Sequence, residues 1–140
     1  MPLLSVEELS VTFTARGRKD ATAVDGVSFD VDQGQVVGLV GESGCGKSVT
    51  SLALMGLLPR KGVRIGGRAE FDGRNLLALG ERKLRDMRGS QLAMIFQDPL
   101  SSLNPVVPIG IQVTEILQRH RGLKGEKARK EAAHLLDRVG

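Results

Sequence analysis

Tryptophan and tyrosine are absent from this 140-residue chain, and phenylalanine occurs only four times. Proteins that hold single-stranded nucleic acid stack its bases on aromatic platforms, so this scarcity of rings argues against that class. A single cysteine, Cys45, excludes an internal disulfide and points to a reducing compartment. Long apolar runs are missing too. The longest nearly apolar stretch, Leu52 to Leu58, falls far short of the roughly 18 residues that cross a bilayer. The N-terminal Met-Pro-Leu-Leu-Ser-Val-Glu-Glu carries no basic segment ahead of an apolar one, so no secretory leader is expected.

What is present has ordinary globular proportions, with 41% hydrophobic and 26% charged residues, and a length that fits one domain. The net charge of +4 falls entirely in residues 71–140; residues 1–70 balance. A basic half fits either an acidic partner or solvated helix faces. Glu and Asp interspersed among the cations favour solvated faces.

Two β-prone runs come first: Leu3–Val6 continuing through Leu9–Phe13, and Ala23–Val31 with apolar residues at 27, 29 and 31. Between them lies the polar, Gly-containing Thr14–Asp20, a pattern that predicts an antiparallel pair. After the Asp32-Gln33-Gly34 turn, Val36–Val40 is a continuous apolar run of the kind that forms a strand buried on both faces. A Gly-rich loop follows, then a helical stretch from Lys47 to Leu58, stopped by Pro59. Arg64–Phe71 reads as a strand broken by Gly, with Asp72-Gly73 as its turn. Glu81–Arg88 reads as a charged helix with Leu84 and Met87 three apart. Gln91–Phe96 is a second candidate for a fully buried strand, and Asp98–Pro108 a Pro/Ser/Asn loop. Ile111–Arg119 and Lys124–Arg138 have amphipathic spacing, the latter with Ala128, Ala132, Leu135 and Leu136 on one face.

Residues 41–48, Gly-Glu-Ser-Gly-Cys-Gly-Lys-Ser, fit G-x-x-x-x-G-K-[ST] in full. Each position has a physical reason. The glycines Gly41, Gly44 and Gly46 let the backbone take conformations closed to residues with a Cβ. The N–H groups of Gly41, Glu42, Ser43, Gly44, Cys45 and Gly46 then line an anion-binding concavity. The positive end of the following helix, through Val49, adds to it. Lys47 brings a mobile charge to β- and γ-phosphates, and the Ser48 hydroxyl is placed to ligate Mg²⁺. The strand-like pattern before the motif and the helix after it supply the context the motif requires.

Residues 92–99, Leu-Ala-Met-Ile-Phe-Gln-Asp-Pro, admit two readings. One is an apolar strand that ends in a metal-binding acid, except that Asp98 comes one residue late and Pro99 stops the strand. The other is a strand that delivers the neutral amide of Gln97 to a metal and an attacking water.

These segments carry a resemblance. Residues 23–29 (Ala-Val-Asp-Gly-Val-Ser-Phe), 38–48 and 93–105 (Ala-Met-Ile-Phe-Gln-Asp-Pro-Leu-Ser-Ser-Leu-Asn-Pro) are similar to the nucleotide-binding subunits of ATP-binding cassette transporters. The Gln-Asp-Pro followed by Ser-Leu-Asn-Pro resembles the dipeptide, oligopeptide and nickel importer branch. The resemblance implies an α/β fold of P-loop NTPase type: a RecA-like core, an N-terminal antiparallel β subdomain and the start of an α-helical subdomain. Residues 1–105 would hold the β subdomain and core, and 106–140 the start of the helical part. It implies ATP and Mg²⁺ as ligands, with Lys47 and Gln97 acting in catalysis and Ser48 and Gln97 at the metal. Phe13 matches the aromatic that stacks on adenine, with Phe29 as second choice. The partners implied are membrane-spanning permease subunits, touching near Gln97–Pro105, and a second ATP-binding subunit. The location implied is the cytoplasmic face of the inner membrane.

Some of what the resemblance leads one to expect is not in the sequence: a Leu-Ser-Gly-Gly-Gln-like signature, an apolar run ending in Asp-Glu, and a histidine after such a run. His120 and His134 lie in charged helical stretches and read as surface residues. The expectation is therefore an incomplete piece of an importer subunit that binds ATP and hydrolyses it poorly. Two alternatives stay open: a non-catalytic nucleotide-binding module, and a soluble ABC-type ATPase acting on nucleic acid, toward which the basic second half points.

Overall fold

A computed structural model describes residues 1–42 and 46–140, with Pro99 described in its backbone alone. It divides into two compact units, Met1–Arg88 and Gly89–Gly140. The first is built on a four-stranded sheet of order β2-β1-β3-β4, with β1 Leu4–Phe13, β2 Ala21–Val31, β3 Val63–Phe71 and β4 Arg74–Asn75. Every pairing is antiparallel. β1 and β2 are the pair expected from the two β-prone runs around residues 14–20.

A bulge corrects the face of β1. Strict alternation after Val6 would turn Glu8 and Ser10 inward. Instead the register slips between Val6 and Leu9 against β2, and between Glu7 and Ser10 against β3. Glu8 takes a left-handed conformation (φ 47°) and its N–H donates to Ser28 Oγ at 2.8 Å. The extra residue restores the inward face, so Val6, Leu9 and Val11 are all buried, joined by Val24 and Ala69.

Helix α1 (Lys47–Met55) lies against β1, β2 and the 3₁₀ turn Leu76–Ala78. It buries Thr50, Ala53 and Met55. It stops three residues short of the expected end at Leu58, because Gly56 turns left-handed (φ 67°) and caps it. Asn75 starts the 3₁₀ turn, its Oδ1 accepting from Leu77 N and Ala69 N. Helix α2 (Glu81–Met87) buries Leu84 and Met87, the two apolar residues expected to face inward.

The second unit holds a 3₁₀ turn, Pro99–Ser101, and two helices, α3 (Ile109–Arg121) and α4 (Gly125–Arg138). The helices pack against each other, and Leu117, Ala128 and Ala132 are buried. Of the expected inward face of α4, Ala128 and Ala132 are inside, Leu135 is half-buried and Leu136 is exposed. His134 is on the surface as expected. His120 is half-buried, its ring close enough to Gly89 that a Cβ there would stand 2.8 Å from Nε2.

Neither expected buried strand forms. Residues 36–40 have no strand assignment, and Val36 and Val40 are each 95% exposed. Of the expected 91–96, Gln91 lies in a turn, Leu92 holds a single bridge position and 93–96 are irregular, with Ile95 97% exposed. A strand of that kind draws its stability from strands on both sides and a layer over each face. Among the described residues no strand pairs along either run; Val36, Val40 and Ile95 remain in solvent, while Leu92 and Met94 are half-buried.

Candidate functional site

The phosphate-loop motif straddles the start of α1. Ser43, Gly44 and Cys45 lie outside the described residues. Gly41 and Glu42 are exposed on the approach. Gly46 is the N-cap, with φ 92° and ψ 8°. A Cβ at Gly46 would stand 2.3 Å from the Ala23 carbonyl oxygen and 3.2 Å from a Val24 methyl. The motif glycine is thus required twice, by a left-handed backbone and by contact with β2.

Thr50 N–H donates to Gly46 O at 2.9 Å, closing the first turn, and Thr50 Oγ1 donates to the same carbonyl at 2.8 Å. The N–H groups of Lys47, Ser48 and Val49 precede that first bond. They belong to the set every helix leaves without an intrahelical partner, and Gly46 has no side chain to cap them. No acidic residue occupies the first turn, so the positive end of the helix is not neutralised within it. Lys47 Nζ donates to Gly41 O, so the ammonium folds back toward the residues that precede the helix. Lys47 is half-buried and Ser48 exposed. The first turn thus carries three N–H groups, the Lys47 ammonium and the Ser48 hydroxyl, a donor set for an anion with several oxygens.

Phe13 ends β1, facing Ala21 of β2 and Val63 of β3, and is half-buried. Ala21 is two residues from Ala23, which touches Gly46. The sheet thereby brings the Phe13 end of β1 to the side of Gly46. Phe29 pairs with Val6 near the other end of β2, away from that edge.

Gln97 belongs to the second unit and is exposed. The segment after it is held by two polar clamps. Asp98 Oδ1 accepts from Leu100 N at 3.0 Å, and Asp98 O accepts from Ser101 Oγ at 3.0 Å. From α3, Gln112 grips the loop more firmly. Its Oε1 accepts from Asn104 N at 2.9 Å, and its Nε2 donates to Asn104 O at 2.9 Å and Val107 O at 2.7 Å. Held in this way, the segment presents Leu100 (89% exposed), Leu103 and Val106 to solvent. Sequence reasoning missed Gln112, because its partners are backbone atoms, which leave no trace in residue type.

Residues 24–140 match the model of the ABC transporter family. The chain belongs to that family. Among curated ABC relatives, the oligopeptide transport ATP-binding protein OppD of Salmonella typhimurium is 49% identical over 137 residues. That match covers 98% of this chain and 40% of the relative. The dipeptide transport ATP-binding protein DppD of Bacillus subtilis is 45% identical over 139 residues, covering 99% and 41%. This chain therefore spans about two fifths of the length of the curated relatives it matches. Among solved structures, the dimeric bacterial ABC transporter cassette MJ0796 superposes with a TM-score of 0.78 at 24% identity, covering 96% of this chain and 56% of that one. A second structure of the same cassette, described as a post-hydrolysis state bound to ADP and Pi, gives 0.76 at 23%. The fold is thus that of an ABC ATP-binding cassette, with the antiparallel sheet as its N-terminal β subdomain.

Proposed function

We propose that this chain is the N-terminal part of the ATP-binding subunit of a peptide importer, and that its own contribution is to bind the phosphates of ATP. The observation that carries the reading is the left-handed Gly46 pressed on Ala23 O, with Lys47, Ser48 and Val49 opening a nine-residue helix behind it. The peptide cargo rests on the names of the relatives, OppD and DppD.

In this reading the loop residues Gly41 to Gly46 wrap the phosphates with backbone N–H groups, and the Lys47 ammonium leaves Gly41 O for the β- and γ-phosphate oxygens. Ser48 and Gln97 would hold Mg²⁺, which when bound neutralises the charge shared between those phosphates. Gln97 also orients the attacking water, and Phe13 stacks on adenine. Lys47, Ser48 and Gln97 are present, while the sequence offers no apolar run ending in Asp-Glu. Residues 1–140 therefore bind Mg-ATP and turn it over slowly or not at all.

We place the β subdomain and core in 1–105 and the start of the helical subdomain in 106–140. The clamped segment with Leu100, Leu103 and Val106 exposed suits contact with a permease subunit near Gln97–Pro105. A second ATP-binding subunit would complete the pair. The location proposed is the cytoplasmic face of the inner membrane; no helix of the described residues is long and apolar enough to cross a membrane.

Titration of the chain with a fluorescent ATP analogue and Mg²⁺ tests the reading. Saturable 1:1 binding is expected, weakened about 10- to 100-fold in Lys47→Ala, the range for losing hydrogen bonds to a charged group. Equal binding by the two proteins would refute it.

A further inference from the structure

Helix α1 has two ends, and only the N-terminal one belongs to the phosphate loop. Its last turn contains no basic residue, so nothing within the helix offsets the negative charge of its C-terminal carbonyls. A cation from elsewhere does. Arg88, the residue that follows α2, donates from Nε to Met55 O at 2.8 Å and from Nη2 to Gly56 O at 2.8 Å. Its Nη1 donates to Glu81 Oε1 at 2.8 Å, and Nη2 also reaches Glu81 Oε2 at 3.3 Å. The guanidinium side chain is only 19% exposed, so it is held within the fold. The approach leaves no slack, since a Cβ on Gly56 would stand 3.0 Å from Arg88 Nη2 and 2.7 Å from Leu84 Cδ1.

We propose that Arg88 is a positioning residue for the nucleotide site: its planar fork grips the far end of α1, and Glu81 holds the fork in place. The inference rests on the reading of Gly41–Ser48 as a phosphate loop. A rod gripped at its C-terminal end keeps its N-terminal N–H groups aimed at one point, and the α1 rod is nine residues long, about 13 Å at 1.5 Å per residue. Two carbonyls and a carboxylate are held at once by Nε, Nη1 and Nη2 of one guanidinium; a lysine ammonium reaches one or two of them from a flexible stem. Arg88 also ends the first unit, and the chain runs on from it through Gly89 to Gln97. The residue that fixes the phosphate helix is thus nine positions along the chain from the glutamine assigned to the metal.

Arg88→Lys keeps the charge and removes the fork; Glu81→Gln keeps Arg88 and removes its anchor. Calorimetric titration of the 140-residue chain with Mg-ATP separates positioning from folding, because a loss of folded protein lowers the stoichiometry while misaimed donors raise Kd. Arg88→Lys is expected to raise Kd about 3- to 10-fold, the worth of one net hydrogen bond, with stoichiometry unchanged. Glu81→Gln is expected to raise it in the same direction by less. Amide exchange of unliganded protein gives the second readout: Thr50–Met55 exchange faster in Arg88→Lys, while β1 and β3 keep wild-type protection. Wild-type affinity in Arg88→Lys at full stoichiometry would overturn the proposal. If the wild type binds no nucleotide, the phosphate-loop reading has failed instead. The exchange arm then decides the role of Arg88: faster exchange confined to α1 supports the grip, and unchanged exchange overturns it.

Discussion

Gly46 shows how much a single position decides. Its left-handed φ of 92° and the 2.3 Å a Cβ would leave to Ala23 O mean that any side chain must either move β2 or shift the start of α1. Gly46→Ala is expected to cost about 1–3 kcal/mol in urea unfolding, the range for backbone held in a disfavoured region, and to weaken Mg-ATP binding at the same time. Unchanged stability would show that the loop bends freely around a methyl group. This residue was legible in the sequence, since the motif names it and its chemistry. Arg88 was not. It reads there as the end of a charged helix, because its two backbone partners are Met55 and Gly56, more than thirty positions upstream, and carbonyls carry no signature of residue type.

Among the elements, the β1–β2 pair and the four α-helices of the described residues follow from apolar periodicity and turn residues, with boundaries shifted by the caps. Gly56 ends α1 early, and α3 runs two residues beyond each expected end. The bulge in β1 lies outside such reading, since only the register against two neighbours shows that Glu7–Glu8 hold an extra residue. Because of it Leu9 is fully buried, and Leu9→Ala is expected to cost about 2–5 kcal/mol in denaturant unfolding. A cost below about 1 kcal/mol would mean that Leu9 does not pack inside the sheet. On α2, hydrogen bonding to Arg88 lowers the pKa of Glu81 from its ordinary 4.5, with Arg60 and Arg85 assisting. A carboxylate whose folded pKa lies below its unfolded value adds stability that is complete above the unfolded value and lost as pH falls through the folded one. The stability difference between wild type and Glu81→Gln should therefore shrink as pH drops below about 4.5. A difference that stays constant from pH 7 to pH 3 would contradict the pair.

At the scale of the whole molecule, the fold class and the family were legible, while the two core strands were not formed. The runs 36–40 and 91–96 have the apolar content of parallel core strands, but apolar content alone does not make one. This chain spans about two fifths of its curated relatives, and within its described residues those runs find no pairing strand. The exposure has a measurable consequence. Val40→Ser and Ile95→Ser should each change the stability of the 140-residue chain by less than about 0.5 kcal/mol, and a larger loss would place these side chains inside a core. The central claim is that the loop before α1 recognises phosphates, and calorimetric comparison of Mg-ATP with adenosine on this chain tests it most directly. The account predicts 1:1 binding of Mg-ATP at least 10-fold tighter than adenosine, the lower end for hydrogen bonds to a charged group, with that preference reduced about 10-fold or more in Lys47→Ala. Equal affinity for the two ligands, or a preference undiminished in Lys47→Ala, would contradict it.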